Sequence, residues 1–161
     1  MGSDKIEFIE PKAVPMNSEI YFEQTLLQPE VMRQKLIHTS PSLLNKISDI
    51  GLSDNQEPEP LLLEVIKFLI LIAKSNESLT PSYIVDLAWH ELILFTRTYD
   101  NFCQAYFARF IHHNPNDDKS VNQVQYFRTL ALYEEYFGNI NHDYWNSSYN
   151  SCGSCEGFSP E

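Results

Sequence analysis

Asp86 and His90 stand four residues apart at the head of a thirty-residue run, from Asp86 to Pro115, that also holds His112, His113, Cys103, Trp89 and Arg97. On a helix, positions i and i+4 share a face, so this spacing sets a carboxylate beside an imidazole. A carboxylate there fixes the ring's tautomer and raises its basicity. That suits a general base or a metal ligand. The bland alternative is a half-buried polar pair tying one helix to another. The residue types of Asp86, His90, His112 and His113 suit zinc or iron. Cys103 fits less well. Thirteen residues of unbroken helix put it roughly 20 Å from His90, on nearly the opposite side, where it reads as a small core residue. His112 and His113 follow the predicted end of the same helix. They reach back to His90 only if that helix bends; otherwise they serve as dipole partners at a helix end.

The candidate metal set is therefore Asp86, His90, His112 and His113, with Asp86, Trp89, His90 and Arg97 as a candidate functional face. A second feature is Cys152-Gly-Ser-Cys155, half of a zinc knuckle or a redox pair. No βαβ pattern surrounds it, so a thioredoxin-type role is not expected, and the plain alternative is two exposed thiols in a tail. The chain has no glycine-rich phosphate loop, no nucleophile elbow and no paired Glu-x-x-His. These absences assign no catalytic residue and no organic cofactor; zinc or iron is the cofactor class left open.

The elements that would position these groups are helices punctuated by proline. Pro29, Pro41, Pro60 and Pro81 each fall where a first helical turn would start, a place that tolerates a missing N–H. Ser40 and Thr80 are expected as N-caps, and Ser120 with Gln123 resembles a capping box. Gly51 and Gly138 sit where helices would end. Helices are predicted near 18–26, 29–38, 41–50, 60–75, 81–108 and 121–137, with no sustained alternation to suggest strands. The 60–75 helix is apolar nearly all round, which places it at the centre. The 81–108 helix carries a stripe from Val85 through Leu92 and Tyr99 to Tyr106, spaced three and four apart; it is long for a globular helix, and a bend near Thr96 to Thr98 fits the sequence though nothing in it forces one. The expected fold is all-α: one irregular bundle of about five or six helices over residues 1–146, then a flexible Gly/Ser/Cys tail over 147–161.

Composition narrows the function classes. With 161 residues the chain suits one domain with a sizeable core. Its net charge of -11 and lack of a Lys/Arg cluster argue against nucleic acid and anionic membranes as partners. The apolar run from Leu61 to Ala73 is too short to span a bilayer and contains Glu64 and Lys67. The N-terminus has charges where a secretory apolar region would stand, and three cysteines do not build a disulfide framework. A cytoplasmic, reducing setting is the expectation.

Trp89-His90, Phe95-Thr96, Phe102-Cys103, Phe110-Ile111-His112-His113 and the stretch from Thr129 to Gly138 together resemble bacterial relatives of the glycine-rich domain-containing protein family, whose plant members are linked to stress responses and development. The likeness covers roughly residues 79–146 and implies no particular activity. Many relatives carry a second histidine two places after the first, where Leu92 stands here, and the glycine-rich tail is reduced to SCGSCEG. Three functions are open at this level. One is a non-catalytic interaction or regulatory module with a protein partner. The second is a metal-binding protein or metalloenzyme built on His90 with His112 or His113 and carboxylates. The third is a Cys-bearing tail that is modified or binds metal.

Overall fold

The computed structural model describes residues 27–145. Six helices lie within them: α1 (Pro29–Thr39), α2 (Ser42–Ser48), α3 (Pro58–Lys74), α4 (Tyr83–Leu94), α5 (Thr96–Phe107) and α6 (Lys119–Phe137). The described residues contain no strand, and the bundle is all-α as the sequence predicts. The helix expected over 18–26 and the tail thiols Cys152 and Cys155 lie outside the described residues.

Helix α3 is the axis of the fold. Pro58 and Pro60 open it, and its apolar residues bury on every side, among them Leu62, Val65, Phe68 and Leu69. Helices α1, α2, α4 and α6 all pack on it. No described helix is long and apolar enough to cross a membrane. The axis also carries an acid. Glu64 is 2% exposed, and burying a carboxylate that deeply requires partners. Its Oε2 accepts from the Tyr133 hydroxyl at 2.7 Å and the Trp145 indole N–H at 2.8 Å; its Oε1 accepts from Lys67 at 3.1 Å. Burial first, and then the charge of Glu64, pushes the Tyr133 hydroxyl far above its ordinary value, so it stays a proton donor. Trp145 is wholly buried among Phe68, Tyr126 and Tyr133, which makes the residues after α6 part of the core.

The capping assignments shift by a few residues. Ser82, not Thr80, caps α4: its Oγ accepts from the Val85 N–H at 3.3 Å. Thr80 instead donates its hydroxyl to Gln125 and ties the loop before α4 to α6. Ser40 forms no cap on α2; its hydroxyl pairs with that of Thr98 at 2.9 Å. Helix α6 starts two residues before the predicted Val121. The Asp118 carboxylate accepts from the N–H groups of Ser120 and Val121, which replaces the expected Ser120–Gln123 box. Gly138 does close α6, with φ +81.

The largest departure is in the middle. The single helix expected over 81–108 is two helices, broken at Phe95, whose ψ of 58 leaves the helical range. Phe95 N–H bonds to Leu92 O in a tightened last turn, and Phe95 O starts α5 by accepting from Tyr99 N–H. The apolar stripe survives the break because Val85, Ala88, Leu92, Tyr99 and Phe102 all turn into the same core. Tertiary packing can satisfy an apolar stripe with two short helices as well as with one long one, so periodicity alone did not reveal the break.

Trp89 is 4% exposed and meets Phe68 edge-on at 5.6 Å. Trp89→Ala is expected to destabilise by about 3–5 kcal/mol, the usual cost of emptying a large aromatic site. A chemical-denaturation midpoint equal to the parent's would contradict this.

Candidate metal centre

Helix α4 supplies Asp86 in its first turn and His90 one turn later. Asp86 is 6% exposed, whereas His90 stands at the surface. The third group arrives from the far side of α5. That helix ends at Ala108, which adopts φ 54, the left-handed region. A side chain there costs roughly 1–2 kcal/mol, and the conformation turns the chain back along the bundle. In the extended stretch that follows, neighbouring residues face opposite ways. The Phe110 and His112 rings meet at a tilt on one side, 4.8 Å apart, while Ile111 is buried and His113 turns inward.

A short relay fixes that register. The Trp89 indole N–H donates to the Tyr99 hydroxyl at 3.0 Å, and Tyr99 donates to the Ile111 carbonyl at 2.7 Å. Burial, followed by the neighbouring Cys103, pushes the Tyr99 hydroxyl well above its ordinary value, so it remains the donor. The His113 ring lies 4.6 Å from the Trp89 ring. The relay therefore joins α4, α5 and the loop that carries His113. Tyr99→Phe removes the shared hydroxyl and leaves two buried groups without it. The expected loss is about 1–3 kcal/mol per orphaned group. The Trp89 ring lies against that of His113, so the variant should also move the His113 ring-proton signals in NMR spectra; an unmoved His113 signal would refute the positioning role.

Three ligand atoms now converge. His113 Nε2 lies 2.7 Å from Asp86 Oδ1 and 3.1 Å from His90 Nε2, and His90 Nε2 lies 3.8 Å from Asp86 Oδ2. All three lie within 4.8 Å of one another. The carboxylate's hydrogen-bond partner is thus His113, not His90 as the i,i+4 spacing suggests; at 3.8 Å the Asp86–His90 approach is ionic at most. A neutral imidazole has one N–H. If His113 Nε2 donates to Asp86, it has neither a lone pair nor a second hydrogen there for His90 Nε2. A cation between the three atoms satisfies them all. Tetrahedral bonds of 2.0–2.2 Å to zinc would hold such ligands about 3.3–3.6 Å apart, within the span of the separations found here.

These groups stand on a cleft of about 480 Å³. Its other walls are the segment from Glu77 to Pro81, the loop from His112 to Asn116, and Asn122 and Gln125 of α6. Apart from the histidines the lining has no cationic side chain, and most of its polar groups are neutral amides and hydroxyls. Sequence reasoning missed Thr80, Asn122 and Gln125 as part of this wall. The only signal was the i,i+3 spacing of the two amides.

Of the residues singled out from sequence, Asp86, His90 and His113 are brought together. His112 reaches the cleft rim with its ring on Phe110, outside the cluster. Trp89 supports the site from below. Arg97 is exposed on α5 and outside the cleft lining, because the break at Phe95 ends the helical face it was expected to share. Cys103 is fully buried, and burial pushes its thiol pKa up, which fits the core role expected for it.

The chain belongs to the UCP032817-like family, whose model matches residues 30–129 and so spans all three converging residues; the family is uncharacterised. Comparison with curated proteins and with solved structures gave no match.

Proposed function

We propose that this domain binds a divalent transition-metal ion, zinc or ferrous iron, through Asp86, His90 and His113. The observation that carries the reading is the convergence of two ring nitrogens and a carboxylate, with His113 Nε2 set against two partners of which it can serve one. Two imidazoles and a carboxylate suit both ions. Three protein ligands leave coordination open toward the cleft, the arrangement that lets a metal act as a Lewis acid or activate water. Asp86 would act as the anionic ligand, fixed from α4, and His113 as the ligand supplied by the folded-back loop. This reading favours the metal-binding alternative over a purely passive interaction module, because a passive pair needs only Asp86 and His113.

The test is direct. Metal-stripped protein is titrated with zinc and, separately, with copper(II). Zinc binding at one ion per chain is expected by calorimetry. Copper should quench the indole emission, since Trp89 lies against His113. His113→Ala and Asp86→Ala should weaken zinc at least a hundredfold, while His112→Ala should leave it unchanged. Equal zinc affinity in the His113→Ala protein would end the proposal.

A further inference from the structure

We infer that the cleft beside the centre takes a small aliphatic monocarboxylic acid with a neutral carbonyl along its chain, the carboxylate on the ion and the carbonyl on Gln125. The inference rests on the metal reading above and names what occupies the coordination left open. Charge selects the first group. The cleft lining carries two carboxylates, Asp86 and Glu77, and no Lys or Arg. Glu77 is paired at 3.0 Å with Arg128, which stands outside the lining. A divalent ion on Asp86 and two neutral imidazoles therefore leaves one positive charge in the cleft. One carboxylate neutralises it, entering as an oxygen ligand of the kind zinc and cobalt accept. A second anionic group would meet no cation there and would lose its water without gaining a partner. That argues against phosphates and dicarboxylates.

Helix α6 selects the second group. Gln125 is half-buried in the cleft wall, and its Oε1 accepts from the Thr80 hydroxyl at 2.9 Å. Thr80 is held in turn. Its N–H donates to Thr129 Oγ1 at 3.2 Å, and its carbonyl accepts from the same hydroxyl at 2.9 Å. Thr129 is fully buried, so the loop before α4 is clamped on α6 and the Gln125 amide cannot turn over without losing its bond. With Oε1 occupied, the amide presents its two N–H donors, and no described residue accepts from them. A donor fixed in this way needs an acceptor, and a neutral carbonyl supplies one without a second charge. The apolar part of the lining, Ile72, Leu79, Pro81 and Pro115, suits a short methylene chain. The cleft volume of about 480 Å³ lies in the range of small-molecule sites.

The experiment loads the full chain with cobalt(II) and follows its visible ligand-field bands, which shift when a ligand displaces water from the ion. The probes are levulinate and its homologues longer by one and two methylene groups. Beside them stand the same acids with a methyl branch in place of the ketone oxygen, and the dicarboxylates of matching length. One keto acid of the series is expected to bind at one per chain, roughly threefold or more tighter than its methyl-branched counterpart, which is the contribution of one hydrogen bond. It should also bind tighter than the matching dicarboxylate. Gln125→Glu keeps an acceptor for Thr80 and loses the donor, so it should abolish the preference for the ketone. Gln125→Met should do the same without adding charge. Equal binding of keto and branched acids by the parent, or a preference that survives both variants, would overturn the inference and leave the metal centre standing. Tighter binding of the dicarboxylate, or keto acids that leave the cobalt bands unmoved, would have the same consequence. A chain that binds no cobalt overturns both readings.

Discussion

Trp145→Ala is expected to be the most damaging single substitution in the described chain, at about 5 kcal/mol or more. Two losses combine. Emptying a fully buried indole site costs about 3–5 kcal/mol. Removing its N–H also takes one of the hydrogen bonds from the buried Glu64 carboxylate, and bonds to charged groups contribute about 1.5–3 kcal/mol. Trp145→Phe separates the two, since it keeps most of the packing and loses only the donor; it should cost less than half as much. Urea denaturation of the three proteins measures this. A chain cut after Ser148 should melt like the parent, while one cut before Trp145 should not fold stably. Full stability without Trp145 would mean that the segment after α6 only rests on the core.

Metal binding should raise the melting temperature of the stripped protein by about 8–16 °C when the ion is present at a thousand times its dissociation constant. Ligand binding at that ratio adds about 4 kcal/mol to the native state, and a domain of this size gains roughly 2–4 °C per kcal/mol. The shift should vanish in His113→Ala and return to baseline on adding a chelator. His113→Ala without metal is expected to melt a few degrees below the stripped parent, because the largely buried Asp86 carboxylate loses its hydrogen bond to the His113 ring, a loss of about 1–3 kcal/mol. A rise of the same size in His113→Ala would place the ion elsewhere. A parent that does not respond to zinc, cobalt or iron would remove the basis for the centre.

Much of the fold was legible because it follows from short-range rules. Proline at first turns located the starts of α1, α3 and α4 to within a few residues. The all-round apolar character of α3 identified the axis, and the spacing of Val85, Leu92 and Tyr99 identified a buried stripe. The caps were less legible. Ser82 and Asp118 took the roles assigned to Thr80 and Ser120, because several hydroxyls and carboxylates near a helix start can all reach the same free N–H groups, and packing chooses among them. Glu64 appeared in the sequence only as an argument against a membrane span. Its role as the anchor of Tyr133 and Trp145 depends on residues 69 and 81 positions away, and no local pattern encodes such a partnership.

The candidate site divides in the same way. The sequence by itself determined which chemistry was available: an acid and an imidazole one turn apart on α4, and two more imidazoles after the aromatic-rich stretch. It also determined that Cys103 belongs to the core, since its place beside the apolar stripe holds whether the helix is straight or broken. The tertiary structure decided which histidine serves. The break at Phe95, the left-handed turn at Ala108 and the bond from Tyr99 to the Ile111 carbonyl bring His113 to Asp86 and leave His112 on Phe110. Neither the ψ of one phenylalanine nor the sense of an alternating loop can be read from residue type, because both are set by long-range packing against α3 and α4. Side-chain periodicity reports the face a residue takes within its own element; where two elements meet is fixed only when the whole core closes.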